Sequence, residues 1–310
     1  MVREEAAVFP ILETKAMRLA DKVTIEDLGL PSLVLMEMAA QAVNEVVEEL
    51  FPEDGRLAVV CGVGNNGGDG LAMARKRHAQ GLPVEVVLVG EKEELSADAA
   101  KQWQLAEAFG VPLVQVASPQ ELDQLEAVLA RADGVVDALF GTGLSRPLAG
   151  LPAQAVERIN ASGLPVVAVD LPSGLSGSSG QLLGPAVEAT CTVVLGALKW
   201  AHVLPPAALA CGQLFWGEIG IPRKKLEELA SGFLLTAEDV ARWLPQRSPD
   251  AHKGKFGHLL LVGGRWGRGG AVALGALAAV RAGAGLVTVA TAAPAVAAVQ
   301  ALVPEAMVDP

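Results

Sequence analysis

Three short glycine-rich stretches of this chain gather the residue types that can bind phosphate, hold a cation or move a proton. The first, residues 62–70, reads GVGNNGGDG and sets Asn65, Asn66 and Asp69 among five glycines. Glycine lets a backbone take positive φ and lets another molecule come close. The amide and carboxylate oxygens add hydrogen bonding and cation ligation. The second stretch runs from Asp137 through FGTGLSRP at 140–147, with Arg146 as its one cation. In the third, Asp170 is followed by Leu171, Pro172, Ser173, Gly174 and a Gly/Ser-rich run to Gly180. One aspartate at such a place is as readily a turn or helix cap. Three acids, each near the end of an apolar run and beside glycine, point instead to a shared site.

The first stretch admits two nucleotide readings. Gly62, Gly64 and Gly67 satisfy G-x-G-x-x-G, and Glu91 follows about 20 residues later, as a dinucleotide fingerprint requires. That reading leaves Asn65, Asn66 and Asp69 without a purpose, and an aspartate would repel a pyrophosphate. The lysine and Ser/Thr that close a P-loop are absent.

These loops need rigid elements to carry them. Residues 57–61, LAVVC, form a short β-rich apolar run of the kind buried on both sheet faces. A helix is expected from Leu71 to Gly81, so the glycines fall where a strand hands over to a helix N-terminus, a natural anion site. Upstream, residues 14–19 and 25–50 read as helices, the second broken at Gly29 and Pro31, with Thr24 and Asp27 resembling a capping box. Downstream, strands at 84–89, 111–116, 134–139 and 165–169 alternate with helices at 97–109 and 119–130, and Pro112 marks an edge strand. This alternation predicts an α/β fold with a parallel sheet and helices on both faces. In such a sheet ligands bind outside the carboxyl ends of the strands, where all three loops then lie.

The chain has 310 residues, 51% hydrophobic and 19% charged, with net charge −11. Its length exceeds what one core usually holds, which implies a second domain in whole or part. The acidity argues against nucleic acid and anionic membranes as partners. Three cysteines in apolar contexts read as reduced thiols, with no metal spacing. No signal peptide and no bilayer-length apolar run is evident, so a cytoplasmic location is expected.

GVGNNGGDG, VVDALFGTGLSR and AVDLPSGLSG, with LMEMAA upstream, resemble the N-terminal domain of the NAD(P)HX epimerases, repair enzymes for hydrated nicotinamide cofactors. The resemblance covers about residues 10–222, and the domains it implies are 1–222 and 223–310. It implies a Rossmann-like fold, NADHX or NADPHX as small-molecule substrate, and a bound potassium ion. Carried across by position, the substrate contacts are Asn65, Asn66, Gly67, Gly68 and Asp69, then Gly141, Thr142, Gly143, Leu144, Ser145, Arg146 and Pro147, with Asp170 and Ala271 in addition. The implied potassium ligands are Asn66, Asp137 and Ser173, oxygen donors suited to a hard cation.

From Thr236, the N-cap of a helix to Leu244, the chain continues into HKGKFGHLLLVGG, a glycine-rich segment, a helix at 271–282 and a strand at 286–290. This part is similar to the start of the ADP-dependent NAD(P)HX dehydratases, a ribokinase-like α/β domain commonly fused to the epimerase. A bifunctional parent follows from the resemblance, with ADP serving the dehydratase. The dehydratase's glycine-rich motif and catalytic aspartate find no match here, so this chain alone is expected to epimerise and not to dehydrate. The resemblance leaves room for a homo-oligomer. Asp170 is the acid–base candidate, since it ends a strand and belongs to no implied potassium shell; a positional contact to ribose is the other reading of it. The alternative functions are a catalytically silent binding module on the same fold and, after it, an NAD-dependent dehydrogenase.

Overall fold

The computed structural model describes residues 9–244 and 247–310. Residues 1–8, where the sequence shows little pattern, lie outside them. The chain divides into two compact units, Met1–Asp239 and Val240–Pro310. Among the described residues no helix is long and apolar enough to cross a membrane.

The first unit contains strands β1 (Phe9–Leu12), β2 (Leu57–Cys61), β3 (Val84–Val89), β4 (Leu113–Val116), β5 (Gly134–Ala138), β6 (Val166–Val169), β7 (Cys191–Leu195), β8 (Leu198–Lys199), β9 (Gln213–Gly217) and β10 (Gly232–Leu234). Its helices are α1 (Thr14–Lys22), α2 (Ser32–Leu50), α3 (Asn65–Ala79), α4 (Ala97–Phe109), α5 (Leu122–Leu129), α6 (Gly150–Ala161), α7 (Trp200–Val203), α8 (Ala207–Ala210) and α9 (Arg223–Leu229), with α10 (Ala237–Trp243) at the boundary. Seven strands make one sheet in the order β4-β3-β2-β5-β6-β7-β9, and every pairing is parallel. The edge position of β4 accommodates Pro112, as expected.

Side chains alternate across the sheet, which explains the unbroken apolar runs. Leu57, Val59 and Cys61 join one core with residues of α1, α2, α3 and α4. Ala58 and Val60 join the other with α5 and α6. The chain runs outward from β2 to β4 and then returns to place β5 on the other side of β2. The strand order therefore reverses between β2 and β5, where loops from adjacent strands diverge and a crevice opens.

Two expectations are corrected at the first glycine stretch. Helix α3 begins at Asn65, with Gly64 as N-cap, so Gly67, Gly68, Asp69 and Gly70 lie inside it. None of the five glycines takes positive φ. Gly62, Gly67, Gly68 and Gly70 are needed for close packing instead, whereas Gly64 has nothing within 4 Å of its Cβ position. A Cβ on Gly67 would stand 1.8 Å from the Gly62 carbonyl oxygen, and one on Gly70 2.6 Å from Ala138 Cβ and 2.9 Å from Cys61 Sγ.

The capping box at Thr24 does not form. Helix α1 runs on through a π-helical turn at Val23–Asp27, and the Thr24 hydroxyl donates back to the Ala20 carbonyl at 2.8 Å. Strand β1 was not expected. It pairs with β8 in parallel and with β10 antiparallel. Leu226 of α9 is buried in the main core. Residues 223–239 are therefore tied into the first unit, which runs past the expected boundary at 222.

The second unit holds a three-stranded parallel sheet of β11 (His258–Val262), β12 (Leu286–Ala290) and β13 (Met307–Asp309), with helices α11 (Gly270–Ala282) and α12 (Val296–Leu302). Strand, glycine-rich loop and helix follow one another as the sequence predicts. Ala273, Ala276, Val287 and Val289 centre its small core.

Candidate active site

A cavity of about 590 Å³ opens at the carboxyl ends of β2, β5 and β6. The loop after β2 and the first turns of α3 supply Gly64, Asn65, Asn66 and Asp69. The loop after β5 supplies Leu139 to Gly143, and the end of β6 supplies Asp170. Leu35, Met36 and Ala39 of α2 form an apolar wall. The first N–H groups of α3 have no intrahelical partner, so the helix presents donors and positive dipole at its entry.

The predicted residues divide into those on the cavity and those behind it. Asn65, Asn66, Asp69, Gly141, Thr142, Gly143 and Asp170 line it. Gly67 and Gly68 are buried beneath, and Leu144, Ser145, Arg146 and Pro147 follow the loop away from the lining. Ala271 is exposed on α11 of the second unit. Glu91, the dinucleotide-fingerprint acid, accepts from Gln115 Nε2 at 3.0 Å and does not line the cavity.

Asp137 and Ser173 are fully buried and bonded to each other. The Ser173 N–H donates to Asp137 Oδ2 at 2.8 Å and its hydroxyl to Oδ1 at 2.7 Å, while the Leu139 N–H reaches Oδ1 at 3.2 Å. The Phe140 N–H donates to Ser173 Oγ at 2.8 Å. This network pins the loop after β5 to the one after β6. Burial outweighs these bonds and pushes the Asp137 carboxyl up to about 6. Asn66 Nδ2 is buried without a partner among the described residues, and Asn66 Oδ1 lies 2.8 Å from where a Cβ on Gly141 would stand. Asn65 Oδ1 accepts from Ser96 Oγ, the N-cap of α4, at 2.5 Å.

Asp170 is the only described non-glycine residue at positive φ, 65°. Its Oδ1 is ion-paired with Lys199 Nζ and accepts the Leu195 N–H at 3.3 Å. Its carbonyl is bonded to His202 Nε2 at 2.8 Å. Since His202 Nδ1 accepts the Lys199 N–H at 2.9 Å, Nε2 carries the proton of the neutral ring. Burial, and then the Lys199 charge, pull the His202 pKa down to about 4.

Sequence reasoning missed Lys199, and it missed the contribution of α1. Arg18 and Asp21 line the cavity, and the Arg18 guanidinium donates to the Thr142 carbonyl at 3.2 Å. The Asp21 carboxyl is pushed up to about 6 by burial, with Lys199 opposing and Asp170 adding to the rise. Asp69 is raised well above the usual carboxylate range, by burial first and then by Asp170, Asp21 and Asp98. One cavity thus offers an ion-paired carboxylate beside two carboxyls whose affinity for a proton burial has raised, the pairing that acid–base chemistry uses. Among the described residues no group of three or more His, Cys, Asp or Glu is placed to hold a metal ion.

Residues 32–201 match the family model described as the YjeF-related protein N-terminus, and residues 259–310 match that of NAD(P)H-hydrate dehydratase. A bifunctional NAD(P)H-hydrate repair enzyme of Moorella thermoacetica is 40% identical over 274 residues, 87% of this chain and 52% of the relative. The chain spans about half the length of the bifunctional relatives it matches. An NAD(P)H-hydrate epimerase of Limosilactobacillus fermentum is 41% identical over 198 residues, covering 64% of this chain and 91% of the relative. A yeast crystal structure shares the fold with TM-score 0.62 at 23% identity, over 73% of this chain and 96% of the yeast one. With more than half of its 310 residues inside one family model and a 41% identical relative covered almost end to end, the chain belongs to the YjeF-related N-terminal family.

Proposed function

We propose that the first unit epimerises the R and S forms of hydrated NADH and NADPH, with Asp170 as the acid–base residue. The observation that carries this is the state of Asp170 in the cavity. Its Oδ1 is saturated by Lys199 and Leu195, while Oδ2 has no partner among the described residues and stands 3.4 Å from the Cβ position of Gly141. The relatives named epimerase and repair enzyme support the substrate class.

The C6 hydroxyl of the hydrated ring sits on a carbon bonded to the ring nitrogen. When Asp170 Oδ2 takes the hydroxyl proton, the oxygen pair forms a carbonyl, and the C6–N1 pair moves onto nitrogen, which takes a proton in turn. Asp21 and Asp69 are the cavity carboxyls whose raised affinity for a proton fits that donation. Rotation about C5–C6 and reclosure on the other face return both protons and give the opposite epimer. The glycine loops and the α3 N-terminus would hold the phosphates and fix the ring.

The family implies potassium, and the residues suit it. Asp137 and Ser173 offer buried oxygens 2.7 Å apart, and the unpartnered amide of Asn66 can turn its oxygen where the nitrogen now lies. When bound, the ion would offset acidic charge near the phosphates. We also propose that a parent protein carrying the whole of the second domain would dehydrate the S epimer at the expense of ADP. Three unpaired buried cysteines suit a reducing, cytoplasmic location. Epimer-resolved chromatography of NADHX with and without the purified chain tests the main reading. An interconversion rate that does not rise with enzyme concentration would refute it.

A further inference from the structure

We infer that Lys199 is a positioning residue for the reaction: it fixes Asp170 so that only Oδ2 meets the substrate. The inference rests on the epimerase reading and deepens it. Lys199 lies outside the three glycine stretches, at the corner between β8 and α7, and is fully buried. A lysine in such a place must be paired, and a pair of this kind contributes little net stability compared with apolar packing of the same volume. What it supplies here is geometry.

The Lys199 ammonium holds Asp170 Oδ1 and is itself anchored by the Leu195 carbonyl at 2.8 Å. The same four-residue corner grips the Asp170 main chain. The Lys199 N–H orients the His202 ring at 2.9 Å, and that ring donates to the Asp170 carbonyl at 2.8 Å. Side chain and backbone are thus restrained together at the one described non-glycine position with φ in the left-handed region, 65°. A carboxylate free to rotate would present either oxygen to the cavity. With Oδ1 occupied, the proton passes through Oδ2, beside Gly141. Misplacement of a reacting group by about 1 Å is enough to cost about a hundredfold in rate.

The test compares Lys199→Met and Lys199→Arg with the unaltered chain, using purified NADHX epimers and chromatography to separate kcat from KM. Methionine keeps the length without the charge. It should lower kcat about thirtyfold or more while KM stays within about threefold, the pattern of an interaction expressed mainly in the transition state. Arginine retains the cation and should recover part of that loss. If methionine prevents folding, as judged by circular dichroism, Lys199→Gln takes its place and the same criteria apply. Unchanged kcat, a loss confined to KM, or an arginine variant no better than the neutral one would overturn the role of Lys199. No turnover in the unaltered chain would refute the epimerase reading itself, which separates the two failures.

Discussion

Alanine at Gly67 sets two effects of opposite sign against each other. Position 67 lies in the first turns of α3, where helix propensity alone favours alanine over glycine by about 1 kcal/mol. Packing forbids it. The added Cβ would stand 1.8 Å from the Gly62 carbonyl oxygen, whereas real Cβ contacts stay beyond 3.0 Å, so the two must separate by at least 1.2 Å. Both are backbone positions, and no side chain can rotate away. The end of β2 is also tied to β5 by the Gly62 N–H to Ala138 carbonyl bond at 3.0 Å, so α3 must tilt or that bond must lengthen. We expect a net loss of about 3 kcal/mol, the upper part of the overpacking range. The control is Gly64→Ala, three residues earlier in the same motif. Gly64 has φ −86° and nothing within 4 Å of its Cβ position, so the change should stay within about 1 kcal/mol. Urea unfolding followed by far-ultraviolet circular dichroism measures both. A Gly67→Ala variant as stable as Gly64→Ala, or more stable than the unaltered chain, would refute the packing argument.

Three further outcomes are expected. Asp170→Asn suits the left-handed backbone and keeps an acceptor for Lys199, so NADHX binding should survive while turnover falls about a hundredfold; unchanged turnover would remove Asp170 from the mechanism. If Asn66, Asp137 and Ser173 hold potassium, the chain should melt at higher temperature in potassium than in tetramethylammonium at equal ionic strength, and Asp137→Ala should erase the gap. That variant should also be less stable by about 1–3 kcal/mol for each buried N–H it strands, those of Leu139 and Ser173. For Asp21 the folded pKa of about 6 lies above the reference value of 3.8, so its contribution to stability is fully present below 3.8 and is lost as pH rises through 6. Asp21→Asn should therefore gain on the unaltered chain between pH 4 and pH 7 in urea midpoint; a constant difference would show that Asp21 is not held in its protonated form by the fold.

What could be read from the sequence was set by how local the physics is. Residues 57–61, 84–89 and 97–109 are placed to the residue, because β-branched runs and helical spacing end there on glycine, proline or a serine cap. Asp137 and Asp170 were legible for a related reason, as acids at strand ends in a parallel sheet. The start of α3 was not. Glycines within a helix contradict local propensity, and what overrides it is the approach of Gly67 to Gly62 and of Gly70 to Ala138, visible only once β2 and β5 are side by side. Strand β1 escaped notice because it is four residues long and its partner β10 lies at the far end of the unit. Asp21 escaped because its neighbours Arg18 and Lys22 make that stretch of α1 look like a solvated face. Lys199 carried a usable signal, one cation in the apolar stretch VVLGALKWA. A lysine so placed must find a buried acid, and the strand-end aspartates are the candidates the sequence offers. The choice of Asp170 over Asp137 then rests on hydrogen bonds: Ser173 and Leu139 already satisfy Asp137, which leaves Asp170 to take the ammonium.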